Sequence, residues 1–275
     1  MTKTLKLLSL ATVISVLCGF FTGLVRAEKL FSNPYPSFYI VFILSAVFLT
    51  AIAYIISLYS KAEGRENLTL YESADNAKLS SDSHTLLITV ILLFGAGLVA
   101  ISAIRSFLTS NGSTIENINF VFVFICAFSL AVRALNKEQS EKTGIFSLFP
   151  IYYLCLYLLL FYRDNARGAN LNAFGPQALT ISILIFAAYF NSAVKFDVRP
   201  PVFRYMFGLL AVHSFVNEIT AYFIRSSTLT STDPAFFLTM IGGFTVYYAA
   251  SLFTLPLRLF KIKKAEKNKI KSPEI

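Results

Sequence analysis

Tryptophan is absent from this chain of 275 residues, histidine occurs twice, cysteine three times, and charged residues make up only 14%. Each shortage excludes something. A soluble domain is about a quarter charged, so a chain that is 56% hydrophobic and this poor in charge lacks an ordinary soluble surface. The cysteines, Cys18, Cys126 and Cys155, all lie in apolar stretches and form no CxxC pair. They provide neither a disulfide framework nor a zinc site, and read as small buried hydrophobes. No nucleophile elbow, phosphate-binding glycine loop or His/Asp cluster occurs, so the sequence calls for no metal, no cofactor and no catalytic set.

What is present is long apolar runs. Eight of them approach the roughly 20 residues that cross about 30 Å of hydrocarbon. They cover 7–24, 37–58, 85–104, 118–135, 145–162, 176–194, 203–224 and 234–257. None alternates as a barrel strand does, and helices satisfy every backbone group in lipid. The expected fold is therefore all-α: a polytopic bundle of eight transmembrane helices in one domain over 1–260, followed by a basic tail over 261–275.

Positive charge sets the orientation. With the N-terminus inside, 18 of the 24 Lys and Arg residues fall on inner segments, and the outer ones hold only Arg26, Lys29, Arg105, Arg163, Arg167 and Arg225. Cytoplasmic segments carry such an excess, so both termini and the polar loop over 62–84 are expected inside, with the protein in the cell membrane. The net charge of +9 comes without a basic face interleaved with aromatics, which argues against nucleic acid as a partner. Six lysines in the tail, Lys261, Lys263, Lys264, Lys267, Lys269 and Lys271, are placed to meet anionic headgroups of the bilayer at the inner face.

The first run, preceded by Lys3 and Lys6, has the outline of a secretory signal. It is longer than the roughly 7–15 residues of a signal core. Ser15, Gly19 and Gly23 also repeat at four-residue spacing, a stripe suited to close helix packing. It is expected to stay in the bundle. Pro176 and Pro234 are expected to start helices, whereas Pro150 and Gly242-Gly243 are expected to interrupt them.

Of fifteen acidic residues only Glu218 lies well inside a span. A charge there costs several kcal/mol, of order 2.5–3.5 by insertion scales, so it demands a partner, a proton or water. At 100° per residue its helix has two polar faces. Gly208, Ala211, Ser214, Glu218 and Ala221 share one, and His213, Asn217 and Thr220 the other. A helix polar on two sides belongs at the centre of a bundle. Glu218 and His213 read as titrating groups of an ion or proton relay, with Asn217 and Ser214 beside them. Counterions for Glu218 are sought among Arg26, Arg105, Arg163 and Arg225, and Arg105 is preferred because Gly95, Ala96 and Gly97 precede it on a helix able to pack closely. Asn191, Ser192 and Thr245 are expected to hydrogen-bond across helices.

His213-Ser-Phe-Val-Asn217 resembles the HxxxN element of the CAAX-type intramembrane prenyl endopeptidases. That family's Glu-Glu pair has no counterpart in this chain, so the resemblance ends at five residues. The pattern as a whole leans towards small-molecule or ion transport. A non-catalytic membrane regulatory or assembly protein, and a membrane-embedded enzyme acting on lipid or prenyl substrates, stand as alternatives.

Overall fold

The computed structural model describes residues 3–27, 34–65, 83–109, 114–135, 145–165, 171–192, 201–225, 229 and 233–254. Most of the 62–84 loop and all of the lysine-rich tail lie outside the described residues. Among the described residues eight α-helices run in chain order: α1 Lys3–Arg26, α2 Pro34–Arg65, α3 Ser83–Thr109, α4 Thr114–Leu135, α5 Phe149–Asn165, α6 Leu171–Asn191, α7 Pro201–Ile224 and α8 Pro234–Leu252. Seven are long and apolar enough to cross a membrane, and α5, with 17 residues, is shorter. The chain is a multi-pass helical membrane bundle. Its outer faces carry bare apolar side chains such as Leu44, Phe94, Leu108 and Phe223.

Burial ranks the helices. The spans of α7 and α8 are 61% and 72% buried, against 28% for α2, which places α7 and α8 at the centre, as the two polar faces of α7 required. Around them, α1, α2 and α6 pack on α7, while α3 packs on α8. The aromatic side chains of α5 stack against α8, with Tyr153 on Phe244 and Phe161 on Phe237. The Tyr153 hydroxyl donates to Met240 Sδ at 2.9 Å.

Two glycine contacts set the close approaches. A methyl group placed on Gly19 would sit 2.5 Å from the His213 carbonyl oxygen, and one on Gly23 would sit 2.6 Å from Thr220 Cβ. Only glycine lets α1 lie this near α7. The Ser15 hydroxyl uses that proximity to donate to the Leu209 carbonyl at 2.5 Å. The second approach is between α3 and α8, where Gly95 and Gly243 face each other backbone to backbone. The Ser15, Gly19 and Gly23 stripe therefore packs as its spacing implied.

Helix direction follows from these pairings. Ser15 meets Leu209, Gly19 meets His213, and Gly23 meets Asn217 and Thr220, so both numbers rise together and α1 and α7 are parallel. Val99 meets Gly243 and Arg105 meets Asp233, so α3 and α8 are antiparallel. Arg204 meets Ser251 and Phe215 meets Gly242, so α7 and α8 are antiparallel too. Leu8 near the start of α1 shares a cluster with Leu252 at the end of α8.

Several local expectations are corrected. Pro150 does not kink a span: a 3-10 turn, Ile145–Ser147, precedes α5, and Pro150 occupies the first turn of the helix, where a missing N–H costs nothing. Pro176 does not start α6 but lies inside it, with the Thr180 hydroxyl 3.1 Å from its carbonyl oxygen. Gly242-Gly243 leaves α8 unbroken and serves close packing instead. Cys126 is buried as expected, whereas Cys155 is exposed and Cys18 half-buried.

Candidate functional site

The parallel packing of α1 on α7 brings the end of α1 level with Glu218. Arg26 Nη1 lies 2.8 Å from Glu218 Oε2, with the two side chains 1% and 0% exposed. By distance this is an ion pair, although these two atoms do not align as a hydrogen bond. The other carboxylate oxygen, Oε1, is 3.1 Å from the Thr180 hydroxyl of α6. That hydroxyl has one proton for Glu218 and the Pro176 carbonyl together. The Arg26 guanidinium also stands 5.9 Å from the ring centroid of Phe38 on α2, within cation–π range. One charge pair thus touches α1, α2, α6 and α7.

Arg105 is not the counterion. It pairs with Asp233 at 2.7 Å, and its side chain is 47% exposed. The reason is the packing: α3 lies against α8 and delivers Arg105 to the start of that helix. Asp233 is also the N-cap of α8, its Oδ1 accepting from the Ala235 and Phe236 amides at 3.1 Å each. Burial alone would raise the Asp233 carboxyl, but the Arg105 hydrogen bond and the two amides outweigh it and hold the group below its ordinary value. Arg163 pairs with its neighbour Asp164 at the surface.

The second polar face of α7 turns to α1 and α2. His213 is wholly buried; its Nε2 lies 3.1 Å from the Thr22 hydroxyl, and Phe42 of α2 packs edge-on against the imidazole with centroids 4.9 Å apart. Asn217 and Ser214 are fully buried, and their side-chain polar atoms have no hydrogen-bond partner among the described residues; the same holds for His213 Nδ1. The structure therefore brings His213, Ser214, Asn217 and Glu218 together in the core, and none of the four is open to solvent.

Asn191 links helices as expected: its Oδ1 accepts from the Ser251 hydroxyl of α8 at 2.9 Å, and its carbonyl accepts from Arg133 of α4 at 3.1 Å. The Ser192 hydroxyl donates within its own helix, to the Tyr189 carbonyl, and the Thr245 hydroxyl is buried without a hydrogen-bond partner among the described residues. Among the described residues, no three His, Cys, Asp or Glu side chains gather as metal ligands.

Arg26, Thr180 and Thr22 complete the site, and sequence reasoning singled out only Arg26, as one of four counterions. A signal for it existed. Ser15, Gly19, Thr22, Gly23 and Arg26 lie on one helical stripe, so whatever Gly19 and Gly23 packed against would also meet Arg26. Comparison of the chain with protein-family models, with curated proteins and with solved structures finds no match.

Proposed function

We propose that the chain crosses the cell membrane eight times, with both termini in the cytoplasm, and works without turnover as a membrane regulatory or assembly component. The directions of the helices support eight crossings. If α1 to α6 each cross, α7 runs parallel to α1; if α5 turned back, α7 would oppose it. The antiparallel pairing of α3 with α8 carries the same requirement. The shared cluster of Leu8 and Leu252 fits two termini on one side, and the charge count selects the cytoplasm. In this arrangement Lys261, Lys263, Lys264, Lys267, Lys269 and Lys271 rest on anionic headgroups, at about 1 kcal/mol each.

The observation that carries the absence of turnover is the sealed carboxylate. A relay group must meet water or substrate from at least one side, and Glu218 is 0% exposed, held between Arg26 and Thr180. Its role is then to fix α1, α6 and α7 in one register. Buried pairs of this kind add little net stability, but breaking one leaves an uncompensated charge.

The unpartnered polar atoms of His213, Ser214 and Asn217 favour a second reading, in which the same core is the closed state of a proton-linked transporter. Purified protein in liposomes holding a pH-sensitive dye separates the two. With a pH step across the membrane, no proton flux above that of empty vesicles is expected. A flux abolished by Glu218→Gln would replace the first reading with the second.

A further inference from the structure

The polar turn of α7 has more hydrogen-bonding capacity than the protein answers. Thr22 has a single hydroxyl proton, and it donates to the Cys18 carbonyl at 2.7 Å. At its 3.1 Å contact with His213 Nε2 the Thr22 oxygen is left to accept, so Nε2 carries a hydrogen, and a wholly buried ring with no carboxylate in contact among the described residues is uncharged. Nδ1 is then a bare acceptor. It is buried, and no group among the described residues donates to it.

One helical turn on, Asn217 presents an amide whose nitrogen and oxygen are both unpartnered, at 0% exposure. Ser214 Oγ is unpartnered among the described residues too, but it lies on the face that carries Glu218. An amide buried in an apolar medium without a partner loses its hydration with nothing in exchange, so a group of this kind calls for an occupant. Residues i and i+4 stand about 5–6 Å apart at Cβ, close to the span of two hydrogen bonds of about 2.9 Å through one small molecule.

We propose that His213 and Asn217 form an internal site for a small neutral ligand bearing an N–H or O–H donor, water being the smallest. The donor satisfies His213 Nδ1, and the ligand's acceptor takes the Asn217 amide hydrogens. Neutrality follows from the surroundings. The one carboxylate in this core among the described residues, Glu218, is already matched by Arg26, and a further cation would meet the guanidinium without an anion to balance it. A further anion would lie beside Glu218. The site rests on neither reading of the function, since a fixed scaffold and a closed transporter would both need these groups satisfied.

Radiolytic hydroxyl labelling of the wild-type protein in nanodiscs tests the proposal, because radicals formed from bound water modify the side chains beside it. His213 and Phe42 are expected to be labelled faster than Phe244 and Tyr153; His213 is the exposure-matched reporter, being at most 1% exposed like Phe244 and Tyr153, whereas Phe42 is 7% exposed. Asn217→Leu is expected to lower labelling at His213 and Phe42 to the Phe244 level and to lower the melting temperature. If labelling is low but denaturation releases one equivalent of a donor-bearing small molecule detectable by mass spectrometry, the site holds that molecule in place of water. Labelling at the Phe244 level, no released molecule, and a melting temperature raised by Asn217→Leu would together overturn the proposal.

Discussion

Arg26, in the last turn of α1, and Glu218, deep in α7, meet at 2.8 Å in the interior of the bundle with neither side chain more than 1% exposed. Gly19 and Gly23 make the meeting geometrically available, because they let α1 lie along α7 at backbone distance, and a parallel pairing then carries Arg26 to the height of the carboxylate. The ion pair and the glycine stripe are two ends of one arrangement.

The stripe gives the first prediction. Gly19→Val forces a branched side chain onto the His213 carbonyl and is expected to cost about 1–3 kcal/mol, the usual range for overpacking. Gly97→Ala is the control, since a methyl group there meets nothing within 4 Å. Thermal denaturation in detergent should show a clear drop for the first and none for the second. Equal melting temperatures would mean that α1 and α7 are not in contact at Gly19.

A second prediction concerns α5. Accessibility tags at Gln139 and Gly168, on either side of it, are expected on opposite faces of the membrane, with Gln139 on the same face as both termini. Tags on one face would remove α5 from the crossings and leave the parallel pairing of α1 and α7 without explanation.

How much of this was legible in the sequence depended on whether a feature was local to one helix. The central place of α7 was readable because His213, Asn217 and Thr220 on one side and Glu218 on the other leave it no broad lipid face. The packing role of Ser15, Gly19 and Gly23 was readable from spacing. The choice of Arg26 over Arg105 was not, because four arginines end odd-numbered spans at similar heights and only tertiary packing decides which helix lies beside Glu218. Pro150 and Pro176 were misplaced for a related reason. Apolar runs mark the hydrocarbon, whereas helix ends are fixed by caps and neighbours, so α6 begins before Pro176 and α5 only just before Pro150.

The N-terminal end of α8 supplies a pH-dependent prediction. Asp233 caps the helix and pairs with Arg105, and its carboxyl titrates below the ordinary value of 3.8. A depressed carboxyl contributes stability that is fully present above its unfolded value and is lost as pH falls through the folded one. Asp233→Ala is expected to cost about 0.5–2 kcal/mol near neutral pH through the lost cap. The gap in melting temperature between wild type and variant should hold steady from about pH 5 upward and close below about pH 4, as the wild type loses its charge. A gap independent of pH down to about pH 3 would mean that the ionised form contributes nothing.

The most direct test is a double-mutant cycle on the buried pair, with Arg26→Gln, Glu218→Gln and the double variant compared by reversible unfolding. Each single substitution is expected to cost about 3–5 kcal/mol, because the partner is left charged in the core. The double variant should then recover about 2 kcal/mol or more of the summed loss. Losses that simply add would show that Arg26 and Glu218 do not hold each other, and the account of α7 as a helix pinned by one interior charge pair would be wrong.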